Sequence, residues 1–195
     1  MFRSSLEWSC ALVLCVLLLP QNAEKKASAA PAPAPDGVHV KITEIPARPS
    51  DVATLDGIMK AYYEVVSGPA GEPRQWDRDH TLYIPEIRFV VISEDASGKI
   101  TSRSLSHQEF ADETTAALGN NAFYEHEVHR ITHRFGNVAH ILSTAEHGAS
   151  PSGPATGHSI DSVELFWDGH RWWIINANIW PGDLPSRPLT KEFLP

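Results

Sequence analysis

Ten histidines in 195 residues raise the question of a metal or an acid/base centre. His126-Glu127-Val128-His129 approaches the His-Glu-x-x-His zinc pattern, but Arg130 stands where the second histidine is needed. On one strand His129 and His133 would lie about 13 Å apart, at a rise of about 3.3 Å per residue. A shared ion would need help from another strand. No metal site is expected, because the spacing fits no known ligand set and no cysteine is at hand. Ser159 and Ser162 flank Asp161, yet no Gly-x-Ser-x-Gly elbow surrounds a nucleophile. No cofactor is expected.

Hairpin turns bring some of these side chains together. A tight turn at Gly136-Asn137 sets Phe135 opposite Val138. His133 then faces His140, Ile131 faces Leu142, His129 faces Thr144 and Glu127 faces Glu146. Two glutamates so placed could share a proton, or simply be solvated at the strand ends. A two-residue turn at Asp168-Gly169 would pair Trp167 with His170, Leu165 with Trp172, Val163 with Ile174 and Asp161 with Asn176.

The elements that position these residues begin near Ser50. Leu55, Ile58, Met59, Tyr62, Tyr63 and Val66 recur at three- and four-residue spacing and predict a helix ended by Ser67-Gly68-Pro69. A short second helix fits 74–83, with Trp76 and Leu82 inward. Strands at 87–93 and 100–105 follow. Ser106-His107-Gln108-Glu109 is a capping-box pattern opening a third helix, which ends at Gly119. The period then changes to two, predicting strands at about 122–135, 138–147, 158–167 and 170–180. Helices followed by a long meander predict an α+β fold rather than a doubly wound sheet.

The ends carry different information. Arg3, an apolar run from Cys10 to Leu19 and Pro20 form a secretory signal pattern, expected over residues 1–23. Export to the periplasm or medium follows, with membrane tethering only if the leader is retained. Both cysteines, Cys10 and Cys15, fall in this segment. Residues 24–49 are an Ala/Pro-rich linker and arm, including a possible edge strand, Val38-His39-Val40-Lys41-Ile42. The domain spans 50–181, and 182–195 are a C-terminal tail. The net charge of −8, with no basic run interleaved with aromatics, excludes nucleic acid as a partner.

The helix ending AYYEVVSG, the strand pair FYEHEVHRITHRFGNVAHILST and the ending DGHRWWII, in this order, resemble the NTF2-like superfamily over about residues 50–181. The resemblance implies a cone: three N-terminal helices packed on a curved, mostly antiparallel six-stranded sheet. That fold hosts both enzymes and binding modules. Ketosteroid isomerase-like members place a tyrosine late in the first helix, which Tyr62 matches. They also need acids where this chain has Val91 and Val163, so that activity is not expected.

The resemblance also implies that the faces carrying Trp172 and His140 point into the cone. The pocket would then be lined by Tyr62, Trp76, His133, Leu142, Val163, Leu165, Trp172, Ile174 and Asn176. His140 beside Asp161 would form an acid/base pair, with Tyr62 near. Ile160, Phe166, Trp173, Ile175, Ala177 and Ile179, with Ala139 and Ile141, would form an outer apolar face suited to a homodimer. The leading expectation is an exported domain binding a small, largely apolar ligand. The rivals are a small cyclase-, dehydratase- or isomerase-type enzyme using His140 and Asp161, and an envelope interaction module.

Overall fold

The protein is described here from a computed structural model, covering residues 45–182, 184 and 187–195. The expected leader, the edge-strand piece and the linker up to residue 44 lie outside the described residues.

The predicted first helix is two segments, α1 (Pro49–Val52) and α2 (Leu55–Glu64). Thr54 separates them and caps α2, its hydroxyl accepting from the Gly57 amide at 2.9 Å. The two segments approach closely at Gly57, where a Cβ would meet the Ser50 carbonyl oxygen at 2.3 Å. Next comes α3 (Trp76–His80). Asp51 of α1 is buried and accepts from Arg78 of α3 at 2.7 and 3.0 Å. That pair, reinforced by Arg78 to Glu64 at 3.0 Å, ties α1, α2 and α3 together.

The sheet begins with β1 (Phe89–Glu94) and β2 (Ile100–Leu105). Helix α4 (His107–Leu118) follows, opened by the expected capping box of Ser106 and Glu109. Four long strands complete the chain: β3 (Tyr124–Phe135), β4 (Val138–Gly148), β5 (Gly157–Trp167) and β6 (Trp172–Pro181). They form one six-stranded sheet in the order β2-β1-β6-β5-β4-β3. Every pairing is antiparallel except β1 with β6, which run parallel. This is the expected α+β architecture, a mostly antiparallel sheet with α2 across one face.

The register decides which face is inside. Ala139, Ile141 and Ser143 of β4 stand opposite Leu165, Val163 and Asp161 of β5, and all six are buried. Their face packs against Ile58, Met59 and Tyr63 of α2. His140 stands opposite Glu164 on the other face.

Two irregularities reset the alternation. In β3 the register shifts between Glu127 and His129, leaving Val128 as the extra residue. In β6, Ile174 pairs with Leu165 and Asn176 with Glu164, so Ile175 is extra. The β5–β6 turn is also wider than the two residues expected. Asp168 binds the His170 and Arg171 amides at 2.7 and 2.8 Å and the Trp173 indole at 2.7 Å, and Trp167 pairs with Trp172. The expected pairs of Leu165 with Trp172, Val163 with Ile174 and Asp161 with Asn176 therefore do not form.

Several residues expected on the outer face are inside. Ala139, Ile141 and Ala177 belong to the core. Ile160 and Trp180, which do face outward, meet the chain's own C-terminal segment. Pro188, Leu189 and Phe193 line a hollow with them, and the Thr144 hydroxyl donates to the Phe193 carbonyl at 2.7 Å.

Candidate functional site

Between α2, α4 and one end of the sheet lies a cavity of about 180 Å³. Tyr62 comes from the buried stripe of α2, and Phe110 and Leu118 from α4. Val91, Phe123 and Ile179 close the apolar wall. Into this wall come two carboxyls, Glu125 at the start of β3 and Asp161 of β5.

Asp161 is 2 % exposed. Its Oδ2 lies 3.0 Å from the Tyr63 hydroxyl, while Oδ1 has no hydrogen-bond partner. The Tyr63 oxygen is also 2.8 Å from Ser143 Oγ, and the Ser143 hydroxyl donates to Glu127 Oε1 at 2.5 Å. Glu127 is held in turn by Arg130, whose Nε donates to its two oxygens at 2.8 and 2.9 Å. Three contacts thus link four oxygens, from Asp161 through Tyr63 and Ser143 to Glu127. Tyr63 and Ser143 have one proton each. Ser143 spends its proton on Glu127, so the single Tyr63 proton is shared between Asp161 Oδ2 and Ser143 Oγ.

Burial, which disfavours the charged form, pushes Asp161 well above the usual carboxylate range. The Tyr63 hydrogen bond opposes that rise, and the Glu127 charge adds to it. Glu125 is raised in the same way, first by burial and then by the negative charge of Asp161. A hydrogen bond from Ser159 at 3.3 Å partly counters it. Glu125 is half-buried as a residue, its side chain lying between the cavity and an outer cleft beside Lys60 and Arg130.

Of the residues expected in the pocket, Tyr62 and Asp161 line the cavity. Val163, Leu165 and Ile174 lie fully buried in the core. Trp172 lines a separate open cleft with Trp167, Thr132 and Arg134. Trp76 donates from its indole to Thr115 at 2.9 Å. Asn176 is paired with Glu164 on the opposite face, and Leu142 lies there too, opposite Ser162. His133 and His140 stack with ring centroids 6.5 Å apart on that same face. His140 bonds to Ser162 Oγ at 3.0 Å. The His140–Asp161 acid/base pair therefore does not form: even-numbered β4 residues face away from odd-numbered β5 residues. Glu127 pairs with Ala145 rather than Glu146, because of the bulge at Val128.

The residue that sequence reasoning missed is Glu125. Its alternation with Glu127 was the available signal, since both sit on the inward side before the bulge. Among the described residues, no group of three or more His, Cys, Asp or Glu is placed to hold a metal ion. None of the helices there is long and apolar enough to cross a membrane.

No family model and no curated protein matches the chain. Solved structures do resemble it. One is a protein of unknown function with a cystatin-like fold from Nostoc punctiforme, at 12 % identity and a TM-score of 0.48, covering 70 % of this chain and 98 % of that one. An uncharacterised cystatin-like protein from Caulobacter vibrioides matches at 13 % identity and 0.47, covering 69 % and 90 %. An NTF-2 like protein of unknown function from Silicibacter pomeroyi matches at 13 % and 0.42, covering 66 % and 93 %.

Proposed function

We propose that this protein is an exported NTF2-like binding module that takes a small, largely apolar ligand into the cavity beside Tyr62 and Asp161. The observation that carries this reading is the cavity itself, an aromatic and aliphatic hollow with two carboxyls set in its wall. A mostly apolar cleft with a few convergent polar groups is the common form of a small-molecule site. An aliphatic cavity of about 150 Å³ is enough to hold benzene, so the 180 Å³ here accommodates a ligand built on one ring.

Native mass spectrometry of protein purified from its own host tests this reading. A small molecule retained at one copy per chain, and released on denaturation, is the expected result. Protein that carries no ligand, and whose melting point is unmoved by a panel of one-ring compounds, would sink it. Export is tested separately. N-terminal sequencing of the secreted or periplasmic product should begin downstream of residue 23.

A further inference from the structure

We propose that His80 and His107 bind a divalent transition ion of the zinc and copper class, held between α3 and α4. This site is separate from the cavity and does not depend on the cavity being occupied.

The two histidines come from different elements. His80 is the last residue of α3 and His107 the first of α4. The spacing that argued against a metal concerned histidines along one strand, so it did not reach this pair. Their Nδ1 atoms lie 3.4 Å apart. That is long for a hydrogen bond, whose N–H···O form ends near about 3.2 Å. The ring centroids are 4.8 Å apart and the planes cross at 75°. The centroid distance is less than the nitrogen separation plus two ring radii. The nitrogens therefore do not meet head-on, and a hydrogen bond between them would be bent as well as long. The same separation suits two ligands of one ion. Zinc–imidazole bonds of about 2.0–2.1 Å, at the tetrahedral angle, set two nitrogens about 3.3–3.4 Å apart.

A second, independent observation lies behind His107. Its Nε2 is 2.8 Å from Oδ2 of Asp79, a residue only 1 % exposed. The other Asp79 oxygen accepts from the Tyr83 hydroxyl at 2.9 Å. A carboxylate so fixed takes the Nε2 proton, and the lone pair of a neutral ring is then on Nδ1, the atom that faces His80. Metal-binding histidines are commonly supported in this way, with the far ring nitrogen donating to a carboxylate. His80 is exposed, which leaves the pair open to solvent on its side.

The donor set selects the ion. Imidazole suits zinc, copper and nickel, whereas magnesium and calcium seek oxygen. Among the described residues no third histidine, cysteine or carboxylate completes the set, so water fills the remaining positions. The bound ion ties α3 to α4, beside the bond from the Trp76 indole to Thr115. His107 also lies against Tyr83, with ring centroids 5.6 Å apart, and Tyr83 lines the cavity.

The test is isothermal titration calorimetry of the untagged full chain with zinc chloride, repeated on His80→Ala. One ion per chain should bind in the micromolar range. The variant should weaken that site at least ~10-fold, and because His80 is exposed it should melt with the native protein in chelator. Nitrogen-15 NMR of the imidazoles should place zinc on Nδ1 of His107 while Nε2 keeps its proton. Absence of zinc binding overturns the proposal. So does zinc binding that His80→Ala leaves unchanged, which would put the ion on other residues.

Discussion

Asp161 spends one oxygen on Tyr63 and leaves the other unpaired, and its negative charge opposes ionisation of Glu125. Both acids are raised when folded, by burial first. A raised carboxyl binds more protons in the folded state than in the unfolded one. Its contribution to stability is thus complete below the unfolded value of about 4 and is lost as pH rises through the folded value. The native protein should lose about 2 kcal/mol or more relative to the Asp161→Asn/Glu125→Gln double variant between pH 4 and neutrality. Urea unfolding of both proteins across that range measures the difference. A constant gap would show that the acids are not held neutral. At this scale the sequence was partly legible. Asp161, Val163 and Leu165 alternate on a regular strand, so their common face could be read. His140 could not be placed, because its side follows from the β4–β5 register, which spans an eight-residue loop, 149–156, that no turn rule fixes. Glu125 was hidden because β3 was anchored from its far end, across a bulge.

At the scale of elements, caps and apolar stripes were readable and irregularities were not. The capping box at Ser106 and Glu109 and the stripe of α2 are local patterns, and both appear as expected. The break at Thr54 and the extra residues Val128 and Ile175 arise from packing between elements. Ile175 in particular turns Ala177 and Ile179 inward and Asn176 outward. The tie among the three short helices is a buried ion pair that no local pattern announces. Removing its cation should be costly. Arg78→Ala leaves Asp51, at 5 % exposure, without its charge partner and should destabilise the protein by roughly 3 kcal/mol in thermal or urea unfolding. A loss below about 0.5 kcal/mol would place the pair among weak surface bridges.

Across the whole molecule, the chain uses its own end to cover sheet surface that would otherwise seek a partner. Ile160 and Trp180 are half-buried under the C-terminal segment, and Thr144 is anchored to Phe193. Truncation after Gly182 should therefore lower the melting temperature by several degrees, as loss of about 1–2 kcal/mol does for a domain of this size. It should also raise self-association, visible by analytical ultracentrifugation. A truncated chain with unchanged melting would show that this cover contributes little. The α+β class was legible from the order of periodicities alone. The tail's role was not, because Pro188, Leu189 and Phe193 carry no regular period to reveal what they touch.

The parallel pairing of β1 with β6 has a consequence for how the molecule comes to exist. Those strands join a two-stranded ribbon, made early in the chain, to a four-stranded meander made late. The ribbon has no neighbour in the sheet until the final strand is available, so the central seam cannot close before β6 has formed. Contacts this distant in sequence form slowly. The Asp161 carboxyl meets Tyr63 across a comparable separation, 98 positions. The cavity, walled by Tyr62 and Val91 from one half of the chain and by Asp161 and Ile179 from the other, exists only where the two halves meet.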